Sequence, residues 1–284
     1  MSKYIVLFNG KADNGTGLEN AKKLQEMLKD DELEYVDLVG KDDFAALLKN
    51  FAKDQKFILS GGDGTVNYFI NHIDEKDIPE NFFYFPAGTG NDFYHDISER
   101  ENNDGIIQIN KYLKNLPSCE VNGKTYKFID NVGYGIDGYC CEVADILKVK
   151  KPNKPINYTG IAIKGLLFHF SNKTAKVTVD GKEYNFKHVW LAPVMKGKYY
   201  GGGMIPCPDQ DRSGDTLSVL VWHKRGRLGT LIKFPGIFKG EHIKNKKMCD
   251  IFTGKHIVVE YTKPCAAQVD GETELNVLKI DCKA

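Results

Sequence analysis

The residues best suited to chemistry in this chain of 284 amino acids lie in positions 56–71, KFILSGGDGTVNYFIN. Phe57, Ile58 and Leu59 form an apolar run too short for a helix, which reads as a buried parallel strand. Gly61, Gly62 and Gly64 follow at once, and without a Cβ their backbone can turn sharply and approach a ligand closely. Thr65 then caps a helix that runs through Val66, Asn67, Phe69 and Ile70. A strand, a glycine turn and a helix start aim free amides and the positive end of the helix dipole at one spot, where an anion fits. Asp63 sits inside this turn, and a carboxylate beside a phosphate makes sense chiefly when a divalent cation lies between them. The stretch therefore reads as a site for a metal-bound polyphosphate. A plain tight turn would account for the glycines but leave Asp63 and Thr65 without a purpose.

Four more stretches carry polar function at places where loops are expected. The apolar run at 4–8 leads into NGKADNGTG, a glycine-rich loop in which Asn9, Gly10, Lys11, Ala12 and Asp13 could meet a phosphate. The aromatic run at 82–85 leads into PAGTGNDF, where Gly88, Thr89, Asn91 and Asp92 supply a hydroxyl, an amide and a carboxylate. Near the end, QVDGE sets Asp270 and Glu272 in alternation along an extended segment, with Gly271 allowing a close bend. Asp209, Asp211 and Asp215 crowd a Gly- and Pro-rich loop at 199–217, which reads either as a hard-cation site or as a solvated acidic loop.

The elements that must position these residues alternate between strand and helix over the first part of the chain. Apolar runs at 4–8, 34–39, 57–59 and 82–85 are separated by helical patterns at Ala21, Leu24 and Leu28 and at Phe44, Leu47, Leu48 and Phe51. Such alternation predicts a mostly parallel sheet with right-handed crossovers and ligands beyond the carboxyl ends of the strands. After Pro117 the pattern changes to hairpins, closed by Asn122-Gly123 and Asp180-Gly181, with further strands at 189–193, 217–222 and 256–261. We therefore expect an α/β domain over 1–117 and a β-rich domain over 118–273, with the alternately apolar tail at 274–284 returning to the first. GYGIDG at 133–138 matches a dinucleotide fingerprint but opens a β-rich half and lacks a ribose-binding acid, so it reads as structural or as lining for a lipid site.

Composition narrows the partners. Hydrophobic residues at 42% and charged ones at 27% are ordinary for a soluble globular protein, and a net charge of +1 predicts no bulk attraction to nucleic acid. Seven cysteines without a CxxC pair argue against a disulfide framework and a zinc site. No apolar stretch approaches the ~20 residues of a membrane span, so the chain is expected to be cytoplasmic and to touch a membrane without crossing it. Residues 222–247 gather Lys224, Arg225, Arg227, Lys233, Lys239, Lys244, Lys246 and Lys247 around Trp222, Leu231, Phe234 and Phe238, with Pro235 interrupting any long helix. This segment reads either as a face for an anionic membrane surface or as a solvated basic helix packed by its aromatics.

GGDGT followed by PAGTGNDF, each at a strand end, resembles the diacylglycerol kinase catalytic domain of the soluble bacterial lipid kinases, which are related to sphingosine kinases. The resemblance covers nearly the whole chain. GGDGT alone is shared with NAD kinases and, more loosely, with phosphofructokinases. The resemblance implies an α/β nucleotide-binding domain, mostly parallel in its sheet, followed by a β-rich, sandwich-like domain. It implies ATP as donor, Mg2+ as ion, and a hydroxyl of diacylglycerol or a related lipid as acceptor. Carried onto this chain, it assigns the nucleotide to Asn9, Gly10, Lys11, Ala12, Asp13, Gly61, Gly62, Asp63, Gly64, Thr65, Val66, Asn67, Gly88, Thr89, Asn91, Asp92 and Asp270. It makes Glu272 the general base and Asp63 the organiser of the catalytic magnesium. It also places a structural magnesium on Asp215 with the carbonyls of Arg212 and Leu217.

The chain departs from the family pattern at Gly10, where proline is frequent, at Asp13, where glycine is, near Gly40, where a threonine is missing, and at Thr216, where glycine is usual. Two other readings compete. An NAD kinase shares GGDGT but not the NDF after PAGTG or the late QVDGE. A non-catalytic lipid- or nucleotide-binding module would have little use for both Asp63 and Glu272. Nothing in the sequence selects the lipid, and the oligomeric state is open, a homodimer included.

Overall fold

The computed structural model describes residues 2–41, 43–52, 54–103, 105–151, 154, 156–224 and 226–284, with backbone alone at Asp13 and Asn14. The chain divides into two compact units, Met1–Leu116 and Pro117–Ala284.

The first unit is built on a five-stranded sheet of β1 (Lys3–Phe8), β2 (Glu32–Asp37), β3 (Lys56–Gly61), β4 (Phe82–Pro86) and β5 (Ile107–Gln108), in the order β2-β1-β3-β4-β5. All pairs are parallel except β4 with β5. Ile5, Val6, Leu7, Ile58 and Leu59 are wholly buried, as expected of strands covered by helices on both faces. Helix Phe44–Lys49 is capped by Asp43, whose side chain accepts from the Ala46 amide, and its Phe44 ring stacks on Phe69 of helix Asp63–Asn71 at 5.5 Å. Because β2 lies on one side of β1 and β3 on the other, the connections reverse direction between β1 and β3. That reversal is where open sheets of this kind hold ligands. Phe8 pairs with Ser60 and Gly61 with Pro86, so the loops after β1, β3 and β4 leave the sheet side by side.

The second unit is an antiparallel sheet of β6 (Ser118–Val121), β7 (Lys124–Lys127), β8 (Asn131–Tyr134), β9 (Lys173–Val179), β10 (Lys182–Val189), β11 (Val194–Met195), β12 (Leu217–Trp222), β13 (Cys249–Gly254), β14 (His256–Val269) and β15 (Glu272–Lys283). Its centre is β14, which pairs with β9 through Ile257–Tyr261 and with β8 through Ala267–Val269, while β15 runs along it. Register breaks between Glu260 and Ala267 let one strand serve both partners. A buried cluster including Phe128, Tyr134, Val177, Val259, Val277 and Ile280 fills the space around these strands, with the Tyr134 and Tyr261 rings stacked at 4.1 Å.

One expectation is corrected here. The tail was expected to return to the first domain, but β15 pairs with β14 and β6 inside the second unit. The reason is the Asp270-Gly271 turn: both residues have positive φ, 46° and 94°, and Val269 pairs with Glu272, so a two-residue hairpin folds the tail back on its own strand. Trp222, which the membrane-face reading of 222–247 would set at the surface, is fully buried and stacks on His242, and Leu231 and Phe234 pack against the same cluster, as the alternative reading of packed aromatics has it. Pro235 does break the helix: Arg227–Lys233 gives way to a 3₁₀ segment, Phe234–Lys239. All seven cysteines are free thiols.

Candidate active site

In the first unit the loops after β3 and β4 are locked into one structure. Gly62 caps helix Asp63–Asn71, and its carbonyl accepts from the amides of Thr65 and Val66. A Cβ on Gly88 would stand 2.4 Å from the Gly62 Cα, so the two turns approach as closely as only glycine allows. Asn91, in the left-handed region at φ 51°, clamps the second loop, accepting from the Gly88 amide at 3.1 Å and donating to the Gly88 carbonyl at 2.8 Å. Tyr84 ties in the first by donating to the Gly61 carbonyl at 2.9 Å.

Asp63 joins the loops. Its Oδ2 accepts from the Asp92 amide at 3.0 Å and its Oδ1 from the Phe93 amide at 3.1 Å, capping helix Asp92–Glu101 from outside that helix. The residue expected to organise a metal thus also holds the PAGTGNDF loop in place. Asp63 Oδ2 and Asp92 Oδ2 lie 3.4 and 3.8 Å from the position a Cβ on Gly90 would take. Two carboxylates converging on one small gap suit a Mg2+ that takes its other ligands from nucleotide phosphates and water.

The loop after β1 shows why proline is missing. The Gly10 amide donates to Asp37 Oδ1 at 2.9 Å, and a Cβ at Gly10 would fall 2.3 Å from Asp37 Oδ2. Proline has neither the N–H nor the room. The same Asp37 oxygen accepts from Val39 at 2.9 Å, while Asn9 Oδ1 accepts from the Lys11 amide at 3.0 Å. Lys11 is exposed, and the side chain of Asp13 lies outside the described residues. Thr65 and Asn67 are buried, so the hydroxyl and amide expected at the nucleotide sit within the helix start.

In the second unit QVDGE forms a tied turn. Asp270 was placed by sequence among the nucleotide contacts. It is instead buried, and its carboxylate accepts from the amides of Ile129 at 2.7 Å, Asp130 at 2.9 Å and Asn131 at 2.9 Å. Gln268 accepts from the Gly271 amide at 2.6 Å and pairs with Asn131. Glu272, first residue of β15, is exposed. Partial desolvation lifts its carboxyl above the usual glutamate range, with Lys148 opposing and Asp145 and Asp270 adding to the rise. Thr273 donates to Asp145 at 2.6 Å and Lys148 donates to Asp145 at 3.0 Å, so β15 and helix Ile136–Lys150 share one charged cluster.

In the loop expected to hold the structural magnesium, side chains of the protein bond the backbone and pair with an acid. The buried Lys196 ammonium donates to the Gly214 carbonyl at 2.7 Å, and Gln210 Nε2 donates to the carbonyls of Asp211 at 3.3 Å and Thr216 at 3.1 Å. Asp215 is exposed and paired with Lys255 at 2.5 Å, and Leu217 belongs to β12. The Arg212 side chain is buried, donating to the Ile129 carbonyl at 2.5 Å and pairing with Asp130. No group of three or more metal-binding side chains exists among the described residues. Lysine thus reaches this loop at two points, Lys255 at the Asp215 carboxylate and Lys196 at the Gly214 carbonyl.

Sequence reading missed Asp137, in the GYGIDG stretch. It is buried, Tyr200 donates to its Oδ1 at 3.0 Å, its Oδ2 has no partner among the described residues, and burial pushes its carboxyl up to about 7. The motif hid it because its glycines drew attention to phosphate binding, whereas a Cβ on Gly133 would fall 2.4 Å from Gln268 Nε2 and 2.8 Å from Asp137 Oδ2.

Comparison with known proteins decides the family. Residues 3–117 match the diacylglycerol kinase catalytic domain, and residues 130–278 match the YegS C-terminal, NAD-kinase β-sandwich-like domain. The chain belongs to the diacylglycerol kinase catalytic-domain family. As such it is a kinase. A relative from Mycobacterium tuberculosis (strain CDC 1551 / Oshkosh), named diacylglycerol kinase, is 26% identical over 254 residues, 86% of this chain and 81% of that protein. A crystal structure of a diacylglycerol kinase from Bacillus anthracis (strain Sterne) superposes with a TM-score of 0.59 at 21% identity, covering 99% of this chain and 93% of that one, which shows the shared fold. No helix among the described residues is long and apolar enough to cross a membrane.

Proposed function

We propose that this member of the diacylglycerol kinase family transfers the γ-phosphoryl group of ATP to a hydroxyl of diacylglycerol or a related lipid. The observation that carries the reading is the fused pair of glycine loops at the sheet's reversal point, with the Asp63 and Asp92 carboxylates converging at Gly90. The amides of residues 61–65 would bind the phosphates, with the loop at 9–13 and Thr89 alongside. Magnesium bound with the nucleotide supplies neutralising charge, and Asp63 and Asp92 would hold it. Glu272 would accept the proton of the lipid hydroxyl as that oxygen bonds to the γ-phosphorus. The bond from this phosphorus to its bridging oxygen then breaks and ADP departs. A carboxyl lifted above the ordinary range is the stronger base for this step.

The test is a labelled-ATP assay over a panel of lipid alcohols with NAD included, on wild type and Glu272→Gln. The expected outcome is transfer to a lipid, reduced about 10²–10⁴-fold in the variant while ATP affinity is unchanged, the range a positioned base contributes. Transfer to NAD alone, or undiminished turnover in Glu272→Gln, would overturn the reading.

A further inference from the structure

One region of the second unit plays no part in the chemistry above. Helix Tyr158–Lys164 runs into a π-helical turn, Gly165–His169, which packs against helix Arg227–Lys233. Arg227 Nη1 fastens the two by donating to the Leu166 carbonyl at 2.8 Å. Their inner sides are explained: Leu166, Phe170 and Ile237 belong to a buried cluster with both tryptophans, and Leu231 and Phe234 pack against it.

Their outer sides are not explained. Phe168 is 71% exposed, Leu228 and Ile232 are each 65% exposed, and Phe238 and Ile163 are also open to solvent. Leu228 and Ile232 stand four residues apart and therefore share one helix face. Helix Ile136–Lys150, which packs on Tyr158–Lys164, ends with Val149 at 84% exposure. Single exposed apolar side chains are ordinary, but several of the largest in the chain on mutually packed helices are not.

Charge indicates what covers them. Residues 146–173 and 222–240 contain eleven Lys and Arg and no Asp or Glu, although the whole chain balances 39 basic against 38 acidic residues. An even spread would put about six acids in these two stretches. Lys164, Lys233 and Lys239 are exposed on the elements that carry the apolar tips. An identical patch on a second copy would set these cations against themselves. A surface with anionic head groups over a hydrocarbon interior matches both halves of the pattern.

We propose that this face docks on an anionic phospholipid bilayer, with Phe168, Leu228, Ile232 and Phe238 entering the interface and Lys164, Lys233 and Lys239 at head-group level. The proposal rests on the lipid-kinase reading for its purpose but not for its test. It refines the membrane face expected at 222–247: Trp222 is interior, and much of the surface comes from 146–173, a stretch that sequence reading passed over.

The test is co-sedimentation of the full chain with vesicles of mixed phosphatidylglycerol and phosphatidylcholine, and with phosphatidylcholine alone, at low and high salt. The triple variant Phe168→Ser, Leu228→Ser, Ile232→Ser is compared, its melting temperature confirming that it folds. The expected result is salt-sensitive binding to anionic vesicles only, weakened at least about tenfold in the triple variant. Phosphoryl transfer to a short-chain, micelle-dispersed diacylglycerol is measured in parallel. If docking fails while transfer persists, the surface assignment is wrong and the function stands; the reverse outcome leaves the surface in place. Equal binding to neutral vesicles, binding equal to wild type by the triple variant, or a dimer in sedimentation velocity that the variant disperses would overturn the proposal.

Discussion

Asp270→Asn separates two roles for the acid two residues before Glu272. Asparagine tolerates the left-handed conformation, φ 46°, so the backbone turn is not penalised and only the carboxylate is changed. In wild type Oδ1 accepts from the amides of Asp130 and Asn131 and Oδ2 from that of Ile129, all buried. The asparagine oxygen can keep the first two, but its NH2 then faces the Ile129 N–H, leaving a buried donor unpaired at a cost of about 1–3 kcal/mol. The two surviving bonds lose their charge assistance, roughly another 1 kcal/mol each, for a total of about 3–5 kcal/mol. At about 2–4 °C per kcal/mol for a domain of this size, the melting temperature should fall by roughly 6–20 °C. Thermal and urea denaturation followed by circular dichroism measure this, with calorimetric ATP binding alongside. A melt within a degree of wild type accompanied by a large loss of ATP affinity would show that Asp270 serves the nucleotide, and the turn-anchor argument would be wrong.

Three further outcomes are expected. Asp137 has a folded-state carboxyl raised to about 7, so its contribution to stability is present in acid and lost as pH rises from about 4 through 7, up to about 4 kcal/mol; urea midpoints against pH should fall more steeply for wild type than for Asp137→Asn, and parallel profiles would refute this. Lys196→Met should destabilise by about 1–3 kcal/mol through the orphaned Gly214 carbonyl, whereas chelator should leave the wild-type melt unmoved; a melt lowered by chelation and restored by Mg2+ would reverse the assignment of the loop's cation. Gly88→Ala, which forces its Cβ onto Gly62, should weaken ATP binding at least about tenfold in calorimetry, and normal affinity would refute the fused-loop geometry.

The architecture was legible because it rests on short-range patterns. Alternating apolar runs and helical periods required a parallel sheet, and Asn122-Gly123 and Asp180-Gly181 declared their hairpins through residues that accept positive φ. Asp270-Gly271 is the same turn chemistry, yet Asp270 was placed among the nucleotide contacts, because nothing local reveals that Ile129, Asp130 and Asn131 bring three amides to that carboxylate across some 140 positions. Gly10 looked like a loss until Asp37 was seen to need its N–H, and the acidic loop, open between a cation site and a solvated loop, gave no hint of the ammonium that Lys196 brings to its Gly214 carbonyl. Basic and aromatic residues around position 222 could be recognised in the sequence, but not that Trp222 faces inward while Leu228 and Ile232 face out. What a residue can do is written in its type and its neighbours along the chain. Whether its polar atoms are already spent, and which face it shows to water, depends on partners that only folding brings within a few ångströms.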